Sequence, residues 1–171
     1  MAGKTDIFDL GRLQLASGQG RRVDLHIELE ELEFGGQRYS SRTAMTDAVL
    51  DAARTRAGYT LRLRFDVRLD GPCMRCLEGS DTPIAIDARE VDQPGGGDDL
   101  SSPYVDGDEL DVRSWARDAL ALALPAQIVC RDDCRGLCAI CGENLNDAGA
   151  EHEHERAPDP RFAKLGELRF E

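Results

Sequence analysis

Aromatic side chains are scarce in this 171-residue chain, which has five phenylalanines, three tyrosines and one tryptophan. Leu, Val, Ile and Ala must therefore fill its core. Long apolar runs are missing as well. The amino-terminal stretch MAGKTDIFDLGRLQLASGQG holds no run of signal-peptide length, and nothing later approaches the ~20 apolar residues of a membrane span. The expectation is a soluble, cytoplasmic protein. Net positive charge is also lacking, the formal value being −12 at pH 7. A surface so negative repels phosphate backbones, whose binding depends on Lys and Arg displacing counterions, and this argues against nonspecific nucleic-acid binding. With 41% hydrophobic and 32% charged residues, wholesale disorder is excluded and a genuine core is affordable at this length.

The charge is split along the chain. Residues 1–76 carry 12 Lys+Arg against 11 Asp+Glu, and residues 77–171 carry 9 against 22, so the two parts stand near +1 and −13. The acidic part suits a basic partner. A local basic patch on the other part can still act alone, because screening at physiological salt extends over only about 8 Å.

Alternation dominates the first ninety residues. VDLHIEL places Val23, Leu25, Ile27 and Leu29 on one face, and the parity then slips near Glu30 and Glu31, which predicts a bulge. Residues 46–54 predict another strand before a turn at Ala57-Gly58. YTLRLRFDVRLD sets Leu61, Leu63, Phe65, Val67 and Leu69 against Arg62, Arg64, Asp66 and Arg68. Two-residue steps stand about 7 Å apart, comparable with the phosphate repeat of an RNA strand, so this arginine face is a candidate binding surface as well as an ordinary solvated one. PIAIDAREV predicts a further strand, and DQPGGGDDLSSPYVDGDE a flexible acidic loop. LDVRSWARDALALALP predicts a helix capped by Asp111 and stopped by Pro125, and DPRFAKLGEL a short helix docking back on the sheet.

The expected class is α+β: an antiparallel β meander or small open barrel, a packed helix and a zinc-ordered carboxy-terminal hairpin. It divides into a β region over 1–91, the acidic loop over 92–110, and a helix with a Cys-rich segment over 111–171, all within one domain.

Six cysteines in C-x-x-C and C-x-x-x-C pairs read, in a reducing compartment, as metal or redox chemistry before disulfides. Cys73 and Cys76 follow a strand and precede glycine and proline, so no helix terminus is available to favour a catalytic thiolate, although Arg75 would. In CAICG, Cys138 and Cys141 followed by Gly142 have the form of a zinc knuckle. Cys130 and Cys134 can complete four ligands, yet the linker Arg135-Gly136-Leu137 is short for closing both pairs on one ion. Two other sets stand open: Cys73 and Cys76 with Cys138 and Cys141, or three later cysteines with His152 or His154. A structural zinc contributes on the order of 10–16 kcal/mol in small peptides, comparable with the roughly 5–15 kcal/mol stability of a whole domain. A closed four-ligand shell leaves no position for a catalytic water.

The ordered set CMRCL, a helix ending LALALP, CRGLCAICGENLN and DPRFAKLGEL resembles the YceD-like family of large ribosomal RNA subunit accumulation proteins, over roughly residues 60–170. The resemblance implies a noncatalytic ribosome-biogenesis factor, with large-subunit ribosomal RNA or a basic large-subunit protein as partner, structural zinc, and neither a membrane nor a small-molecule substrate. Some members keep only the C-x-R-C pair, matched here by Cys73, Arg75 and Cys76, which favours Cys130, Cys134, Cys138 and Cys141 as the metal set. Arg62, Arg64, Arg68, Cys73, Arg75 and Cys76 are then the candidate binding residues. Rival readings are a dithiol oxidoreductase using Cys73 and Cys76, and a zinc-dependent adaptor that binds only protein.

Overall fold

The alternating stretch from Tyr59 onward is the spine of the molecule. The computed structural model describes residues 6–97, 100–149 and 152–154. In chain order it contains β1 (Ile7–Asp9), a 3-10 turn (Leu10–Leu13), β2 (Gly20–Ile27), β3 (Leu32–Phe34), β4 (Gln37–Ser41), β5 (Thr46–Arg54), β6 (Tyr59–Pro72), β7 (Gly79–Asp92), β8 (Val105–Asp106), β9 (Glu109–Asp111) and α1 (Val112–Ala123). All pairings between these strands are antiparallel.

Strand β6 is paired along its whole length with β7, from Tyr59↔Asp92 to Pro72↔Gly79. On its other edge the first half takes β5 and the far end takes β4, through Ser40↔Asp70. Strands β2 and β3 complete this six-stranded open sheet, and β1, β9 and β8 form a separate three-stranded one. Among the described residues, the sheets do not close into a barrel.

The period-two pattern explains the core. Leu61, Leu63, Phe65, Val67 and Leu69 are buried on one face of β6, joined by Leu25, Ile27, Ala48, Leu50, Ile84 and Ile86 from its neighbours. Helix α1 lays Val112, Trp115, Ala116, Ala119 and Leu120 on that cluster. Its amino terminus is fixed by Asp111, whose carboxylate accepts from the Ser114 amide at 2.9 Å. It ends at Leu124, which is extended ahead of Pro125 as proline requires.

The expected bulge at Glu30-Glu31 is instead a break between β2 and β3. The chain leaves β2 there and crosses to the β3–β4 hairpin, which turns about Gly35 and Gly36, both with positive φ. The short helix expected in DPRFAKLGEL falls outside the described residues.

Candidate metal centres

The β6–β7 hairpin ends in a tight knuckle. The Cys73 amide donates to the Glu78 carbonyl at 2.7 Å, and the Leu77 amide returns to the Cys73 carbonyl at 3.0 Å. This turn points Cys73 and Cys76 back toward the protein, where both are buried. Beyond α1, the segment from Gln127 runs alongside the knuckle, the Met74 amide donating to the Ile128 carbonyl at 2.8 Å. Ile128 is anchored in the main core, and so Cys130 and Cys134 arrive opposite the first pair.

The result is one four-thiol cluster: Cys73, Cys76, Cys130 and Cys134, with all ligand atoms within 4.8 Å of one another. The Cys73–Cys134 sulfurs are 3.8 Å apart and the Cys76–Cys130 sulfurs 3.6 Å. Tetrahedral zinc with Zn–S bonds of about 2.3 Å requires sulfurs about 3.8 Å apart, so the donor set fits the ion. Val129 and Leu137 pack against the cluster. Arg75 ties its two sides together: one nitrogen donates to the Cys134 carbonyl at 3.1 Å, and two others to the Gln127 side-chain oxygen at 3.2 and 3.0 Å.

The thiols are not equivalent. Burial alone would push Cys73 up, but the amides of Cys76, Arg75 and Cys130 and the Cys76 thiol outweigh it and hold it at about 6. The Asn146 amide group lowers Cys134. Desolvation raises Cys76, and pushes Cys130 to about 12 with help from the neighbouring thiols. The cluster thus favours the thiolate at Cys73 and Cys134 and disfavours it at Cys76 and Cys130.

A second cluster is built on the same plan. The Cys138 amide donates to the Glu143 carbonyl and the Gly142 amide to the Cys138 carbonyl, both at 2.8 Å, repeating the hydrogen bonds of the first knuckle. The sulfur contacts repeat too: the Arg75 amide lies 3.4 Å from Cys73 Sγ, and the Ile140 amide 3.5 Å from Cys138 Sγ. The residue after each second cysteine is left-handed, with φ of 76° at Gly142 and 63° at Leu77. Here Cys138 and Cys141 meet His152 and His154, again with ligand atoms within 4.8 Å. Backbone amides of Cys141 and Ile140, with the His152 ring between them in weight, bring Cys138 down to about 6.

The four cysteines favoured from sequence do not form one cluster. The structure divides them, giving Cys130 and Cys134 to the hairpin pair and Cys138 and Cys141 to the histidines. The physical reason is the linker: Gly136 is left-handed at φ 77° and packs under the Arg75 carbonyl, with Leu137 donating to that same carbonyl. The chain turns there, so Cys134 and Cys138, with three residues between them, enter different clusters.

The arginine face is also resolved. Arg62 bonds Asp87 at 2.6 Å, Arg64 bonds Asp51 at 2.7 Å, and Arg68 bonds Asp81 at 2.7 Å. Arg22 reaches Asp51 at 2.7 Å, and Arg42 reaches Asp70 and Asp81 at 2.8 and 2.9 Å. The outer face of the sheet is thus a lattice of cross-strand ion pairs, with its guanidinium charge matched by carboxylates on neighbouring strands. Arg75 is committed to the thiol cluster. The carboxylates on β5 and β7 were the missed partners, legible only once the strand register is known.

These features define a class: an open antiparallel β protein with a thiol-rich centre at the tip of its longest hairpin. The chain belongs to the family described as large ribosomal RNA subunit accumulation protein YceD, whose model matches residues 61–169. That span includes β6 from Leu61 onward, β7, α1 and both clusters. An uncharacterized protein of Mycobacterium tuberculosis is 34% identical over 106 residues, covering 57% of this chain and 49% of the relative. An uncharacterized protein of Mycobacterium leprae is 39% identical over 71 residues, covering 42% and 31%. The Zea mays protein named large ribosomal RNA subunit accumulation protein YCED homolog 1, chloroplastic, is 40% identical over 76 residues, covering 44% of this chain and 22% of the relative. The chain thus spans about half the length, or less, of these relatives. No solved structure matches. Among the described residues, no helix is long and apolar enough to cross a membrane.

Proposed function

We propose that this protein is a noncatalytic ribosome-biogenesis factor that supports accumulation of large-subunit ribosomal RNA, with a structural zinc ion held by Cys73, Cys76, Cys130 and Cys134. The observation carrying this reading is the family match across the residues that build the four-thiol cluster. Four protein sulfurs fill a tetrahedral shell, so the ion would hold no water to activate and would act as a structural clasp. It joins the β6–β7 tip to the segment after α1, an arrangement suited to presenting a rigid surface.

The partner we favour is a basic large-subunit ribosomal protein. The residues from 77 onward carry a net charge near −13, whereas Arg62, Arg64 and Arg68 are each engaged by an aspartate and would have to break those pairs to meet phosphate. Direct RNA contact through that face is the second reading. The low thiol of Cys73 favours a third, dithiol exchange, but its sulfur is fully buried, and a nucleophile must reach its substrate.

Deleting the gene should lower the ratio of large- to small-subunit ribosomal RNA, and a Cys73→Ser/Cys134→Ser copy should fail to restore it. An unchanged ratio on deletion would overturn the proposed role. Proteins captured by the intact chain should survive ribonuclease treatment; loss of capture on that treatment would move the contact to RNA.

A further inference from the structure

We infer that Cys138, Cys141, His152 and His154 bind a second zinc ion, independent of the first and more readily exchanged. This extends the zinc reading of the four-thiol cluster to another site, and it stands or falls separately.

The argument begins with convergence. Tetrahedral zinc with Zn–S near 2.3 Å and Zn–N of about 2.0–2.1 Å calls for S···N separations of about 3.6 Å and N···N of about 3.4 Å. The Cys141 sulfur lies 3.6 Å from His152 Nε2 and 3.3 Å from His154 Nε2, and the two Nε2 atoms are 3.1 Å apart. A solvated His-x-His pair has no reason to bring both Nε2 atoms onto one sulfur. Two imidazole nitrogens at that separation each present a lone pair or a proton to the other, and a shared cation satisfies both lone pairs.

A second observation is independent of the ligand atoms. The other nitrogen of His152, Nδ1, lies 3.0 Å from the Glu143 carboxylate. A carboxylate holding the remote ring nitrogen is the usual support of a metal-bound histidine, since it fixes the tautomer and leaves Nε2 free to donate its lone pair. Glu143 belongs to the knuckle itself, its carbonyl receiving the Cys138 amide. One residue therefore shapes the turn and orients a ligand that arrives from beyond Asp147.

The two sites differ in chemistry. Zn²⁺ with four thiolates carries a formal charge of −2 and sits among largely buried sulfurs; Zn²⁺ with two thiolates and two neutral imidazoles is neutral. Cys141 and His154 are exposed, so water and competing ligands reach this ion directly. On binding, any thiol protons pass to solvent and the segment carrying His152 and His154 is pinned to the knuckle. Exposure and the long loop between the two ligand pairs make it the faster site to exchange.

The test is metal content by elemental analysis of the full chain, with release into a zinc-binding dye followed over time. Two zinc ions per chain, released in a fast and a slow phase, are expected. His152→Ala/His154→Ala should retain one ion and only the slow phase. Glu143→Gln should keep two ions at saturating zinc while weakening the fast site 10- to 100-fold. In a cobalt-substituted protein, the histidine variant should lose the two-thiolate spectrum and keep the four-thiolate one. One ion in the native chain, retained in the histidine variant and lost in Cys134→Ser, would overturn the second site alone. An ion kept in Cys134→Ser and lost in the histidine variant would establish the second site and overturn the first. No metal in any form would overturn both.

Discussion

Leu77 and Gly142 occupy the same place in two like-built knuckles, and both are left-handed. A leucine with positive φ is disfavoured by on the order of 1 kcal/mol or more, and Leu77 gains little in return, being 58% exposed. Leu77→Gly should therefore leave thermal stability unchanged or slightly higher. Gly136 is the opposite case. It is left-handed, and a Cβ there would sit 3.1 Å from the Arg75 carbonyl oxygen. Gly136→Ala should destabilise the protein by about 1–3 kcal/mol, read as a lower urea midpoint; a midpoint equal to the native one would refute the account of the linker turn. Residue types at the site were readable from the sequence, because cysteines in pairs and a glycine after the second announce a knuckle. Their partition was not. The one usable sign was the shortness of Arg135-Gly136-Leu137, which is short for closing both pairs on one ion and across which the two pairs enter different clusters.

Among the elements, β6 and α1 were legible because each carries a sustained period, whereas β5 and the start of β7 carry weaker patterns, with Val49 and Ala85 on the outer face. Strands β1, β8 and β9 are only two or three residues long: β8 and β9 form a tight hairpin about Gly107 and Asp108, while β1 exists by pairing the residues near 8 with those near 110, for which no local pattern exists. The polar face of β6 was legible as a row of arginines and illegible as a lattice, since its carboxylates lie on other strands. That lattice sets an acid dependence. Arg22 and Arg64 hold the Asp51 carboxyl below its ordinary value, Arg68 and Arg42 do so for Asp81, and Arg62 for Asp87. Carboxylates depressed in the fold stabilise it above the unfolded value near 3.8 and lose that contribution as pH falls through the folded value. Urea midpoints measured downward from pH 5 should fall, and Asp51→Asn should flatten the slope. Because the pairs are partly exposed, high salt should shrink the effect; a slope indifferent to both changes would rule out the lattice as its source.

For the whole molecule, the proposed clasp and the core are separate clusters. Leu50, Leu63, Leu69, Trp115 and Leu120 are buried together away from the sulfurs, which form their own cluster with Val129 and Leu137. Removing metal with a strong chelator should lower the melting temperature while the far-ultraviolet strand signal persists at room temperature. Collapse of that signal would mean that the sheet depends on the ion. The placement of the four-thiol cluster also has a meaning in time. Cys73 and Cys76 are made before β7, β8, β9 and α1, and their partners Cys130 and Cys134 only after them. At synthesis rates of about 5–20 residues per second, the hairpin cysteines wait several seconds with no opposite pair. Under the zinc reading, an ion could gain all four sulfurs only after the segment beyond α1 had reached the hairpin tip, so metal capture would come late in the folding of these elements rather than at its start.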